Sequence, residues 1–93
     1  MIVSFKGPIA EDIFRRHRVK RLDTGVQRMA LRKLRMLHHA HTLADLRIPP
    51  GNRLEKLKGD RGGQYSVRIN DRWRICFDWR NRNAHEVEII DYH

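Results

Sequence analysis

An α+β fold is what this sequence predicts: an N-terminal strand, two helices, then an antiparallel β-meander forming one curved sheet with the helices on one face. Three observations carry the prediction. Apolar residues recur at helical spacing up to about residue 41, alternate every second residue from about residue 52, and are punctuated in the second half by turn-forming residues. At 93 residues the chain has surface-to-volume room for one hydrophobic core, so residues 1–93 read as a single domain.

Ile2-Val3-Ser4-Phe5 reads as a short strand. Pro8 suits the first turn of a helix, where its missing N–H costs nothing, and Glu11 and Asp12 put negative charge near the positive end of the helix dipole. That helix is expected over about Pro8–Val19, packing Ile9, Ile13 and Phe14. A second helix starts at Asp23 or Thr24, either of which can cap it, and ends near His41. At about 100° per residue, Val26, Met29, Ala30, Leu34 and Leu37 share a face opposite Arg28, Arg32, Arg35 and His39. Leu31 lies at the edge of this stripe and Lys33 intrudes on it. A short turn or helix at Leu43–Leu46 follows, stopped by Pro49-Pro50-Gly51.

From Asn52 the period becomes that of a strand. Leu54 and Leu57 flank a short one, and Gly59-Asp60-Arg61-Gly62-Gly63 makes a turn. Tyr65, Val67 and Ile69 then alternate with Gln64, Ser66, Arg68 and Asn70. After Asn70-Asp71, Trp73, Ile75, Phe77 and Trp79 face one way, and Arg72, Arg74, Cys76, Asp78 and Arg80 the other. Asn81-Arg82-Asn83 turns the chain into a last strand, led by Val87 and Ile89 and ending at Asp91-Tyr92-His93.

Composition narrows the function classes. With 20 Lys+Arg against 11 Asp+Glu the net charge is +9, which attracts polyanions, nucleic acid first among them. The single cysteine excludes an intramolecular disulfide framework and a Cys-rich zinc site, and it fits a reducing, cytoplasmic setting. No stretch approaches the roughly 20 apolar residues of a membrane span, and the first residues are too short and too alternating for a signal peptide. No membrane partner is expected.

Helices covering the Trp73 side would leave Arg68, Arg72 and Arg74 projecting from the opposite one, converging on a concave basic surface able to grip phosphates. The same alternation also fits an ordinary solvated sheet face. Asp91-Tyr92-His93 adds a carboxylate, a phenol and an imidazole, three groups able to hold or move protons. A frayed polar terminus would look the same.

Three segments together decide more than any one of them: Leu57-Lys58-Gly59-Asp60-Arg61, Trp73-Arg74-Ile75-Cys76-Phe77 and Asp91-Tyr92-His93. In order and spacing the chain resembles the HigB branch of the RelE-like toxins, and the resemblance covers essentially its whole length. It implies a RelE-like fold and a ribosome-dependent endoribonuclease acting without metal or other cofactor. The RNA's own 2′-hydroxyl would attack the adjacent phosphate. It also implies three partners: a helix-turn-helix antitoxin (HigA-like), the ribosome with mRNA in its decoding site, and operator DNA through the toxin–antitoxin complex.

Carried over residue by residue, His93 and Asp91 match the family's acid–base pair, and Tyr92 its tyrosine. Arg74 matches the central-strand arginine that meets transition-state charge, and Lys58 the turn lysine that contacts phosphate. Arg61, Arg68 and Arg72 complete the expected RNA-binding set, although some relatives have asparagine in place of Arg72. Glu55 stands where some HigB toxins have a catalytic histidine; a glutamate can act as a base but adds no positive charge beside a phosphate. The runner-up reading is a non-catalytic basic module that blocks the ribosome or acts as a DNA-binding corepressor.

His38 and His41, three apart, suggest a metal pair, but cations at a helix C-terminus explain them and His39 better. Cys76 is assigned no chemistry. Arg15-Arg16-His17-Arg18 and Lys20-Arg21 form a basic run that either tracks RNA backbone or is simply solvated.

Overall fold

Pro8 opens α1 (Pro8–Phe14), and Asp23 caps α2 (Thr24–His39) by accepting a hydrogen bond from the Val26 amide. The computed structural model describes residues 1–91. After short 3-10 turns at Leu43–Arg47 and Pro50–Asn52 come β1 (Glu55–Lys56), β2 (Gln64–Arg68), β3 (Trp73–Arg80) and β4 (Asn83–Asp91). They form one antiparallel sheet in the order β1-β2-β3-β4, a meander as the turn residues imply.

α1 stops at Phe14 rather than near Val19. Arg16 takes a left-handed conformation (φ 64°), and the amides of Arg16 and His17 bond back to the carbonyls of Ile13 and Asp12, at 2.9 and 2.7 Å. This paired closure satisfies the last carbonyls and turns the chain away. The N-terminal segment lies along β4 as two isolated parallel bridges, Ile2 to Ala84 and Phe5 to Val87, rather than as a continuous strand. Its ladder is interrupted because β4 carries a bulge between its pairings with Cys76 and Asp78. There Glu86 has φ 53° and its amide donates to Ser4 Oγ at 2.9 Å.

Both helices contact β4 and cover one face of the sheet. Ala10 and Ile13 of α1 and Ala30, Leu34 and Leu37 of α2 join Val67, Ile75, Phe77, Val87 and Ile89 in the core. Met29, expected on the apolar stripe, is 41% exposed. Lys33 has a structural reason to intrude: its ammonium donates to the side-chain oxygen of the fully buried Asn52. Asn52 Nδ2 in turn donates to the Leu46 and Ile48 carbonyls at 3.1 and 3.4 Å, fastening the 3-10 turns to α2. Burial, then repulsion from Arg32 and Arg68, holds the Lys33 amine below the ordinary lysine range.

The histidines at the end of α2 do not all act as cations. His38 Nδ1 accepts the Ile2 amide at 3.1 Å, so that nitrogen is unprotonated, and the ring packs on Phe14. Burial first, then His39 and the N-terminal ammonium, lowers its pKa. Because the folded state disfavours the proton, the His38 contribution is complete above about pH 6.5 and is lost as pH falls toward the lowered folded value. Urea unfolding at pH 7.5 and 5.5 should therefore show the protein less stable at pH 5.5. His38→Gln, which keeps an acceptor that does not titrate, should shrink that difference, and His38→Ala should cost about 1–2 kcal/mol at pH 7.5. An unchanged pH dependence in the glutamine variant would place the acid sensitivity elsewhere.

Candidate active site

Directly opposed residues of an antiparallel pair share a face, so the register assigns the side of the sheet away from the helices. Glu55, Ser66, Cys76 and Glu88 form one row across it; Arg68, Arg74 and Ile90 form the next. The row Gln64, Asp78 and His85 completes the face.

Arg74 was expected to project from this face; instead it is buried, 5% exposed. Its guanidinium is taken up by backbone and side-chain acceptors on three sides. Nε donates to Ser66 Oγ at 2.8 Å, and one terminal nitrogen donates to the Arg53 carbonyl at 2.7 Å and lies 3.8 Å from Glu55 Oε1. β3 lies between β2 and β4, and the Arg53–Glu55 segment, reaching Arg74 from beyond β2, supplies acceptors at the end of its side chain. Cys76, likewise on the polar register, is fully buried, and that burial pushes its thiol pKa up.

Arg61 reaches over this row from the 3-10 turn Gly59–Arg61, donating to Glu88 Oε1 at 2.6 Å and Gln64 Oε1 at 3.2 Å. The bond to Glu88 raises its already high pKa further. Beside it opens a groove of about 420 Å³ lined by Glu55, Lys56, Leu57, Lys58, Arg61 and Ile90. The structure thus brings three of the expected residues, Glu55, Lys58 and Arg61, to one cavity, with Arg74 in contact with Glu55 and cross-strand from Ile90.

The remaining residues lie elsewhere. Arg68 pairs with Asp71, whose carboxyl it holds below the usual range. Arg72 donates to Asp91 Oδ2 at 3.0 Å and stacks 5.0 Å from the Trp73 ring centre. Asp91 is opposed to Trp73, so its register places it on the helix-covered face, opposite that of Arg74. The structure brings Asp91 to Arg72 and does not bring it to Arg74. Tyr92 and His93 lie outside the described residues.

Sequence reasoning missed Ser66, Lys56, Glu88 and the Arg53 carbonyl. Only Ser66 left a legible trace, as a short hydroxyl among long polar side chains on β2. Chemically the groove offers a carboxylate able to take a proton and the cations Lys56, Lys58 and Arg61 able to hold phosphate; the buried Arg74 guanidinium lies behind it, 3.8 Å from Glu55 Oε1. Among the described residues no three His, Cys, Asp or Glu side chains converge as metal ligands.

Comparison with known proteins gives a consistent picture. Residues 4–93 match the family model described as RelE-like toxin of type II toxin–antitoxin system HigB. The sequence is 38% identical over 82 residues to "Toxin HigB-1" of Vibrio cholerae, covering 85% of this chain and 84% of that protein. Over 41 residues it is 42% identical to "Endoribonuclease HigB" of Proteus vulgaris, 44% of this chain and 45% of that one. In three dimensions it resembles a chain of the "YoeB-YefM complex from Staphylococcus aureus", with TM-score 0.59 and 17% identity. That likeness covers 100% of this chain and 98% of the other, and it shows the fold.

Arg74→Ala removes the donors to Ser66 and Arg53 and leaves a cavity, so it should destabilise the fold by about 2–4 kcal/mol. Arg74→Lys keeps the charge but not the fork, and should recover less than half of that. Arg68→Ala, which loses only a largely solvated pair, should cost about 1 kcal/mol or less. Urea midpoints at constant m-value measure all three; an Arg74→Ala cost no larger than that of Arg68→Ala would mean that Arg74 does not hold the strands together.

Proposed function

Because the chain belongs to the HigB family of RelE-like toxins of type II toxin–antitoxin systems, we propose that it is an endoribonuclease that cuts mRNA on the ribosome without a metal. The observation that carries this reading is the groove where Glu55 meets Lys56, Lys58 and Arg61 on the polar sheet face. Ile90 also lines it, and in the sequence Ile90 is followed directly by Asp91-Tyr92-His93.

In this reading the 2′-oxygen of the RNA attacks the adjacent phosphorus. The O2′–P bond forms as the P–O5′ bond breaks, leaving a 2′,3′-cyclic phosphate and a 5′-hydroxyl. One group takes the 2′ proton and another returns a proton to the departing 5′-oxygen. His93 and Asp91 serve as that acid–base pair, which requires Asp91 to leave Arg72 and the helix-covered face its register gives it; Glu55 is an additional base already at the groove, and Tyr92 orients or stacks on a base. Lys58 and Arg61 hold the phosphates, and Arg68 and Arg72 extend the contact along the RNA backbone. Arg74 stabilises charge developing on phosphorus. Those donors are committed to Ser66 and the Arg53 carbonyl, so what supports the role is a positive charge held in a fixed place behind Glu55. The partners in this account are a helix-turn-helix antitoxin, the ribosome carrying mRNA, and operator DNA bound through the toxin–antitoxin complex.

A specific contact favours a second reading. The Asp91 carboxylate is already engaged by Arg72, as a structural ion pair in a non-catalytic basic module would be. Cell-free translation with primer extension on the message separates the two. The wild type should create new 5′ ends within codons, and Asp91→Ala or His93→Ala should slow their appearance by about 10²-fold or more while restoring protein synthesis. Inhibition of translation with no new 5′ ends would establish the binding module, and wild-type cutting by the double variant would remove both residues from the chemistry.

A further inference from the structure

Arg61 is common to two hollows. One is the groove beside Glu55; the other, of about 480 Å³, is lined by Lys6, Asp60, Gly62, Gln64 and Asp78 as well. In the groove Arg61 stands with Lys56 and Lys58. The second hollow offsets its cations with two carboxylates, so it favours hydroxyl and amino groups over a further phosphate.

The way Arg61 is held is specific. A single terminal nitrogen, Nη1, donates both to Glu88 Oε1 at 2.6 Å and to Gln64 Oε1 at 3.2 Å. Nε and Nη2 have no acceptor among the described residues. Their N–H groups lie side by side on one edge of the guanidinium, the fork that matches two oxygens of a phosphate. Both anchors belong to the sheet, Gln64 to β2 and Glu88 to β4, whereas Arg61 itself sits in a 3-10 turn. The Glu88 side chain is 14% exposed and pairs across the ladder with the buried Cys76.

We propose that Glu88 and Gln64 are positioning residues: they clamp one end of the Arg61 guanidinium so that its open edge holds the phosphodiester joining two RNA nucleotides, one in each hollow. A carboxylate that merely neutralised Arg61 would take the fork edge itself; Glu88 takes Nη1 and leaves that edge open. Anchoring also removes a cost of binding, because a long side chain already ordered loses less freedom when the phosphate arrives. That the ligand is RNA rests on the nuclease reading above; the clamp on Arg61 does not.

The test uses the intact chain and a fluorescent single-stranded RNA of about eight nucleotides, 2′-O-methylated so that no 2′-hydroxyl is left to attack. Anisotropy then reads binding without cleavage. Glu88→Gln and Glu88→Ala both remove the charge, but only glutamine keeps an acceptor for Nη1. The glutamine variant should therefore bind about three- to tenfold more tightly than the alanine variant, and adding Arg61→Ala to each should abolish that gap. In cell-free cutting of a message the same gap should appear in KM and leave kcat nearly unchanged. A gap that persists without Arg61 would assign it to the fold and overturn the proposal. Alanine binding as tightly as glutamine would overturn it too, making Glu88 a counter-ion that holds Arg61 back. So would a wild type that does not bind the RNA at all. A chain that shows the gap but cuts no message keeps the phosphate fork and loses only the nuclease reading.

Discussion

A buried guanidinium organises the polar half of this protein. Arg74 sits on the central strand and joins β2 through Ser66, the segment before β1 through the Arg53 carbonyl, and β1 itself through Glu55. A charge so placed is tolerated only while its donors are met, and hydrogen bonds to a charged group are the stronger kind. β1 is two residues long and has little pairing of its own to fix it. The position of Glu55, and with it one wall of the groove, therefore rests on the Arg74 contacts together with that short ladder. A second chain of contacts meets the first one residue away. Lys33 on α2 binds Asn52, and Asn52 holds the turns that lead into Arg53. The two chains couple the helix layer to the groove through polar contacts rather than through the apolar core.

What was legible in the sequence was whatever follows from short-range pattern. The two-residue alternation of Trp73–Trp79, the capping aspartate at residue 23 and the turn residues at 59–63 and 81–83 each have a local cause, and each appears where expected. The misses have non-local causes. α1 ends early because Arg16 adopts a left-handed backbone, an option open in principle to many residues and signalled by none. The N-terminal strand breaks into bridges because of a bulge at Glu86, far along the chain. Alternation correctly put Arg74 and Cys76 on the polar register, but register says nothing about depth, and both are buried. The resemblance to a family brought Glu55, Lys58 and Arg61 together in expectation; Lys56 and Glu88, their neighbours in space, carried no signal that distinguishes them from any surface charge.

The net charge is distributed less simply than its sum implies. Every arginine singled out on or beside the sheet has an acidic neighbour: Arg61 with Glu88, Arg68 with Asp71, Arg72 with Asp91 and Arg74 with Glu55. Such pairs hold long side chains in defined places and lower the local potential, so a phosphate arriving there must share or displace a carboxylate. Lys56 and Lys58, which have no ion pair among the described residues, offer charge without that competition.

The helix layer shows the opposite arrangement. Arg28, Arg32 and Arg35 stand in a row with, among the described residues, no carboxylate at ion-pair distance, so α2 presents exposed positive charge that is not neutralised locally. Exposed charges of this kind are screened within a Debye length of about 8 Å at physiological salt, whereas the buried Arg74 is screened far less. Association driven by the helix row therefore weakens as salt rises, while the geometry around Arg74 holds. The exposed arginine row and the candidate site thus sit on separate layers of the fold, joined through Lys33, whose ammonium feels Arg32 on one side and binds Asn52 on the other.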